Sequence, residues 1–170
     1  MLKNKATKIV VSLAGLLCMG SLFCGCGNTI GMATSTNSYN NEKVLAKDSS
    51  SYNYWEKEGT ADETSADINF FFSGNDVIWK IDSEKDTDLQ CSYDINISSG
   101  KFKIIEVTDD KNIVTLWENT DSSENSGNFP IHLSTGTSRI KIVGKKAQGT
   151  ATLSLADNSD VQVEAVSYSK

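Results

Sequence analysis

Apolar and polar residues alternate along most of the chain after about residue 66. The clearest stretch is LQCSYDINIS, residues 89–98, in which every second residue from Leu89 to Ile97 is apolar. A period of two is typical of a strand with one buried face, whereas helical spacing would spread these residues around the whole axis. Eight further segments have the same strand character: 68–72, 77–81, 101–107, 112–117, 129–133, 139–143, 150–155 and 161–166.

Short polar stretches separate these segments and supply the residues that tight turns favour. Gly, Asn, Asp and Ser are concentrated at 98–101, 109–112, 134–137 and 157–160. Strands that follow one another every 8–12 residues or so, with no helical stretch between them, are typical of an antiparallel sandwich or barrel. The pattern therefore predicts an all-β domain of eight or nine strands over residues 63–170.

Two details of this pattern predict how individual strands lie in the sheet. Pro130 has no amide hydrogen, so its strand should lie at an edge or begin there. Val77 and Ile78 are adjacent apolar residues, as are Ile104 and Ile105. Those strands should be covered on both faces or contain a bulge.

Residues 136–155, GTSRIKIVGKKAQGTATLSL, resemble the closing hairpin of secreted jelly-roll modules such as pre-peptidase C-terminal domains and carbohydrate-binding modules. The shared pattern is a Gly-Thr turn, an alternating strand, a Gly-containing turn and a second alternating strand. Ser138 and Arg139 stand where such modules often carry an aromatic residue. The resemblance implies a jelly-roll-like antiparallel β-sandwich.

The first 25 residues have the layout of a secretory signal peptide. Three lysines and no acidic residue precede the apolar run from Ile9 to Phe23, and small residues follow it. A retained membrane-spanning helix would need about 20 apolar residues, and this run is shorter. We therefore expect residues 1–25 to be removed.

The segment LFCGC, residues 22–26, resembles the lipobox of bacterial lipoproteins, with Cys26 in the position of the lipidated cysteine. Cys24 fits less well because Phe23 would take a place that requires a small residue. The resemblance implies a diacylglycerol on Cys26 that holds the protein on the extracytoplasmic face of a cell membrane, with the lipid bilayer as partner. The many lysines, the single arginine and the abundant asparagine resemble the composition of proteins from AT-rich Gram-positive bacteria.

Residues 26–62 are rich in Ser, Thr, Asn and charged residues and show no lasting apolar period. Such a composition buries too little surface to offset conformational entropy, which predicts a disordered tether. Within it, SYNYW at residues 51–55 concentrates three aromatic residues. This stretch is either a first strand docked on the domain or an exposed adhesive patch.

Charge and cysteine content exclude several classes of function. Removing residues 1–25 takes the formal charge from −6 to −9, because three lysines leave and no acidic residue does. A chain this acidic, with no basic cluster, is not expected to bind nucleic acid. Cys91 is then the one thiol of the domain, so no disulfide can form within it.

Candidate chemistry is sparse. His132 is the only histidine and has no accompanying nucleophile motif or second histidine, so no catalytic or metal-binding residue is predicted. Cys91 lies on the inward set of its strand and should be an inert, buried thiol. The acidic loops 82–88 and 118–128 offer oxygen ligands for a structural calcium, but neither has EF-hand spacing.

Two tryptophans are the candidate ligand-binding residues. Trp117 ends a strand beside the longest loop, where it either stacks against a sugar ring or fills the core. Trp55 either caps the domain or helps to bind the ligand. We therefore expect a non-enzymatic binding module without a cofactor, for a glycan or, alternatively, for another surface protein as an accessory or adhesion domain.

Overall fold

The computed structural model describes residues 38–169 and confirms the predicted all-β antiparallel fold. The signal peptide, Cys26 and the first part of the predicted tether lie outside these residues. One short helix precedes seven strands: α1 Glu42–Leu45, β1 Ser51–Ala61, β2 Ser65–Ser83, β3 Thr87–Val107, β4 Ile113–Glu118, β5 Ser126–Leu133, β6 Gly136–Leu155 and β7 Val161–Ala165.

Three unusually long strands account for the difference between the predicted and the observed number of strands. Strands β2, β3 and β6 have 19, 21 and 20 residues, and each contains two of the segments that the alternation pattern separated. The polar stretches within them bend the strand instead of reversing it. The nine predicted segments therefore form six strands, and β1 is the seventh.

The long strands give the sheet its two layers. The strand order is β1-β2-β6-β3-β4, while β7 also pairs with β2 and β5 also pairs with β3. β1 pairs with the first half of β2, and β7 pairs with its second half. In the same way, β5 pairs with the first half of β3, and β4 pairs with its second half. One hydrogen-bonded sheet thus folds over on itself. The first layer contains β7 and β4, and the second layer contains β1 and β5.

Bulges and glycines allow the long strands to bend. The pairing register shifts between Phe72 and Gly74 in β2 and between Ile97 and Lys101 in β3. Gly74 and Gly100 have φ angles of 120° and 79°, which disfavour other residues. A Cβ on Gly74 would also collide with the carbonyl oxygen of Ser51. The bend therefore depends on glycine at these positions.

The main core lies between the two layers. Phe70 of the second layer stacks on Phe102 of the first, with ring centroids 4.8 Å apart. The indole nitrogen of Trp79 donates a hydrogen bond across the layers to the carbonyl oxygen of Asp62, at 2.7 Å. Burying each such aromatic side chain contributes about 1.5–3 kcal/mol. Apolar burial between the layers therefore holds the folded sheet together.

A second, smaller core covers the outside of the first layer. Tyr39 and Leu45 pack on Ile105, Val107 and Val143. Since Ile104 belongs to the main core, β3 is covered on both faces here, as the adjacent isoleucines predict. The register also shifts between residues 104 and 105.

Residues 38–61 are ordered in the structure, which corrects the prediction that they belong to a disordered tether. Residues 38–50, which we call the strap, pack on the first layer, and Ser51–Ala61 form β1. The strap is held by Lys141, whose ammonium donates to three of its carbonyl oxygens. Residues 26–37 lie outside the described part. The aromatic segment 51–55 is thus the start of the first strand.

The two edges of the sandwich carry different features, a proline-containing edge strand at one and a buried carboxylate at the other. Pro130 lies in β5, which within residues 38–169 pairs with β3 on one side and is an edge strand, as predicted. At the opposite edge, buried Asp76 accepts hydrogen bonds from Tyr54 and Ser167. Lys57 lies 3.4 Å from the same carboxylate. These contacts join β1 to the chain that follows β7.

Candidate functional site

The solvent-facing side of the second layer presents an almost entirely polar surface, which we call the outer face. Along β2, β3 and β6 the buried residues alternate with polar ones, and the strand register aligns these polar residues in rows. One row is Glu58, Asn69, Thr150 and Asn96, and the next is Thr60, Asp67, Thr152, Asp94 and Ser126. Ser154, Ser92 and Asn128 form a third row. Amide, hydroxyl and carboxylate groups thus extend continuously over five strands.

An exposed aromatic pair, which we call the aromatic platform, lies at one end of the outer face. Trp55 is the bulged residue of β1 and is 53% exposed. Its ring stacks on that of Phe71, with centroids 4.6 Å apart and the planes inclined by 30°. Beside the pair, the amide of Asn69 donates to Glu56 at 2.9 Å. The stacking fixes the indole in place while leaving its other face open to a ligand.

Trp117 is not exposed in the same way. It is 8% exposed and packs against Tyr93 and Phe102, with ring centroids 6.0 and 6.1 Å away. Its indole nitrogen donates to the carbonyl oxygen of Glu124 at 3.1 Å. Of the two positions left open by the sequence, the structure therefore places Trp117 in the core. The bond to Glu124 also ties down the loop between β4 and β5.

A shallow groove of about 290 Å³ borders Trp117. Its lining carries no charged side chain and consists of Asn96, Ile97, Ser98, Trp117, Asn119, Thr120, Ser123 and Asn125. Asn119 accepts a hydrogen bond from the amide of Phe102, and Asn125 donates to Asn96 at 3.4 Å. These bonds hold the amides in position. The groove is chemically suited to a neutral, hydroxyl-rich group.

The aromatic platform and the groove lie at opposite sides of the outer face. Glu56 in β1 is opposite Phe71 in β2, which is opposite Gln148 in β6, which is opposite Ser99 in β3. Three strand spacings of about 4.8 Å separate β1 from β3, or about 14 Å in all. Asn96 belongs both to the outer face and to the groove. The structure thus connects the two predicted tryptophan sites by one polar surface.

The outer face is acidic. Glu56, Glu58, Asp67 and Asp94 belong to it, and none of the residues in its three rows is basic. Within residues 38–169, no ion pair involves any of these four carboxylates. Negative charge on this face is therefore left to interact with solvent or with a ligand.

Sequence reasoning missed Phe71, the lower half of the platform. In the run of three phenylalanines at 70–72, the outer two enter the core and the middle one faces outward. The alternation of side chains along a strand predicts that Phe71 faces outward. Alternation does not predict the bulge that places Trp55 over Phe71, because the bulge depends on pairing with another strand.

The other candidate residues show no assembled chemistry. His132 is exposed and its Nδ1 lies 2.7 Å from Asp88. Cys91 is buried as predicted, and burial raises the pKa of its thiol to about 12. In the part of the chain that the structure describes, no group of three or more His, Cys, Asp or Glu residues is placed to hold a metal ion. The acidic loops 82–88 and 118–128 fall within that part.

Comparison with known proteins leaves the family open. No family profile matches the chain. No curated protein matches it either. Among solved structures, a family 35 carbohydrate binding module from an environmental isolate is similar with a TM-score of 0.35 and 20% identity, over 67% of this chain and 82% of that chain.

Proposed function

We propose that this protein is a non-enzymatic, lipid-anchored binding module on the extracytoplasmic face of a cell membrane, and that it binds carbohydrate through the outer face. The observation that carries the proposal is the aromatic platform. Trp55 is stacked on Phe71 at the end of a continuous polar surface. An exposed aromatic ring that is already in place can bind a ligand without further loss of conformational freedom.

The two parts of the surface match the two sides of a sugar. The C–H groups of a pyranose ring pack against an indole, while its hydroxyls exchange hydrogen bonds with amides and carboxylates. Asn69 and Asn96 lie in the row next to the platform, on either side of Thr150. An extended oligosaccharide stacked on Trp55 would therefore meet hydrogen-bonding groups on each successive strand as far as the groove.

The anchoring part of the proposal rests on the lipobox-like segment and on the position of the strap. Only eleven residues lie between Cys26 and Ser38, where the described chain begins. Fully extended, they would span about 40 Å at most. Within residues 38–169 no helix is long and apolar enough to cross a bilayer. Acylation of Cys26 would supply a membrane attachment that needs no such helix.

Binding to a glycan array tests the proposal. We would use the full chain carrying Cys26→Ser, which removes the proposed acylation site, and compare it with the same chain carrying Trp55→Ala. We expect binding to a defined class of glycan and its loss in the Trp55 variant. Tyr52→Ala is the matched control, because Tyr52 is a similarly exposed aromatic of β1 whose ring packs beside Tyr54 instead of Phe71.

Two results would contradict the proposal. One is the absence of binding to any glycan by a protein that is shown to be folded. The other is glycan binding that Trp55→Ala leaves unchanged. The first result would favour the alternative, an accessory or adhesion domain that contacts another surface protein. For the anchor, the intact mass of the mature protein would show whether Cys26 carries lipid.

A further inference from the structure

The charge of the outer face narrows the class of ligand. Resting on the function proposed above, we infer that the glycan carries positively charged amino groups, as in a deacetylated hexosamine polymer. The four carboxylates of the outer face flank the path from the aromatic platform to the middle of the sheet. An anionic glycan on the same path would meet these four like charges, and none of the residues in the three rows is basic.

Asp67 and Asp94 are the best placed of these carboxylates. They occupy the same row on either side of Thr152, two strand spacings or about 10 Å apart. Asp67 accepts a hydrogen bond from the Thr152 hydroxyl at 3.3 Å, and Asp94 accepts one from the Asn96 amide at 3.0 Å. A carboxylate has about four acceptor positions. Both side chains are therefore oriented by a neighbour while retaining capacity for a ligand.

Neither carboxylate forms an ion pair within residues 38–169, in contrast to the carboxylates of Asp48 and Asp160. Asp48 lies close to Lys111 and Arg139, and Asp160 lies 3.1 Å from Lys85. Those carboxylates are neutralised within the protein, whereas Asp67 and Asp94 are not. Because an ammonium ligand would pair with them without displacing an internal cation, the outer face is complementary to positive charge.

The expected effect is modest for each carboxylate and larger for the face as a whole. An exposed ion pair changes an equilibrium by up to about fivefold. Contact with two or more carboxylates should therefore raise affinity about tenfold over a neutral ligand of the same shape. The difference should shrink as salt is added, because the Debye length falls from about 30 Å at 0.01 M to about 3 Å at 1 M.

Matched ligands separate charge from shape. We would measure the affinity of the full Cys26→Ser chain for chitosan and chitin oligomers of equal length, which differ in the acetylation of their amines, and for an oligogalacturonate. The measurement is made at mildly acidic pH, in low and in high salt. We expect the order chitosan, chitin, oligogalacturonate, with the preference for chitosan reduced at high salt.

Variants locate the effect. Asp67→Asn and Asp94→Asn should each weaken chitosan binding by about two- to fivefold and leave chitin binding unchanged. Asp110→Asn is the control, because Asp110 is an exposed carboxylate in the turn between β3 and β4. Thermal unfolding checks that every variant is folded. Since both aspartates are exposed, their replacement should change stability little.

The outcomes distinguish this inference from the proposed function. Equal affinity for chitosan and chitin, with both lost in Trp55→Ala, would overturn the charge inference and leave the carbohydrate module standing. Equally strong binding of oligolysine that does not depend on Trp55 would overturn it as well, since charge alone would then suffice. If the folded protein bound none of the oligosaccharides, both would fail.

Discussion

Replacing Lys141 by methionine should release the strap from the sheet. The Lys141 side chain is fully buried, and its ammonium donates to the carbonyl oxygens of Leu45 at 3.0 Å, Lys47 at 2.5 Å and Ser49 at 3.3 Å. It also donates to the side chain of Asn75 at 3.3 Å. Methionine fills a similar volume but leaves these four acceptors without a donor.

Two opposing terms set the size of the effect. The four acceptors share the three hydrogens of the ammonium, and loss of three hydrogen bonds to a charged group, at about 2 kcal/mol each, would destabilise the protein by about 6 kcal/mol. Burial lowers the pKa of Lys141 from 10.5 to about 8, so burying its charge costs about 3 kcal/mol. Methionine avoids that cost. The expected net loss is therefore about 3 kcal/mol.

The loss should be local to the strap. Hydrogen exchange at the amides of Val44, Leu45 and Ala46, which are bonded within the strap, should accelerate by about two orders of magnitude. Amides of β2 and β6 should change much less. Lys145→Met, at an exposed position of the same strand, is the matched control. Unchanged strap exchange in Lys141→Met would refute the assignment of Lys141 as the group that holds the strap.

The buried side chains of Trp117, Glu106 and Cys91 each allow a test of the structure. Trp117→Ala should lower the free energy of unfolding, measured by urea titration, by about 3–5 kcal/mol, because a large core side chain is lost. Trp55→Ala should lower it by no more than about 1.5 kcal/mol. Similar losses in the two variants would contradict the placement of Trp117 in the core and of Trp55 on the surface. Burial raises the pKa of Glu106, so the folded state disfavours the ionised carboxylate. The protonated Glu106 therefore contributes its full stability below the pKa of the unfolded chain, 4.5, and this contribution is lost as the pH rises above that value. Glu106→Gln should therefore stabilise the protein at pH 7 relative to pH 4, and a gain that is equal at both pH values would argue against this linkage. Since burial raises the pKa of Cys91 to about 12, its thiol should resist a thiol reagent at mildly alkaline pH until the protein unfolds, and rapid labelling of the native state would show that the site is open.

Local alternation was sufficient to predict strand structure in six of the seven strands of residues 38–169. Leu89 and Ile95 are buried, while Asp94 and Asn96 face solvent, because a pleated strand alternates its side chains whatever its neighbours are. Pro130 predicted an edge strand for an equally local reason, the missing amide hydrogen. The same reasoning divided β2, β3 and β6 too often. Glycine and serine favour both a tight turn and a bend within a strand, and only the pairing partners distinguish the two.

The candidate site was predictable only in part. Trp55 was identified as a possible ligand-binding residue, and the structure leaves it exposed. Trp117 was identified for the same reason and lies in the core, because Tyr93 and Phe102 come together from distant segments to cover it. The strap was missed because its contacts are with residues that are distant in sequence. Leu45 and one buried lysine from the far end of the chain hold a segment whose composition alone predicts disorder.

By itself, the sequence determined the properties that depend on residues close together in the chain. These are the all-β class, the polarity of the outer positions of each strand, the buried thiol, and the lipobox-like segment that predicts the anchor. The tertiary structure decided the properties that depend on register and on long-range contact. These are the folding of one sheet into two layers, the stacking of Trp55 on Phe71, and the alignment of unpaired carboxylates in rows across strands that are distant in sequence.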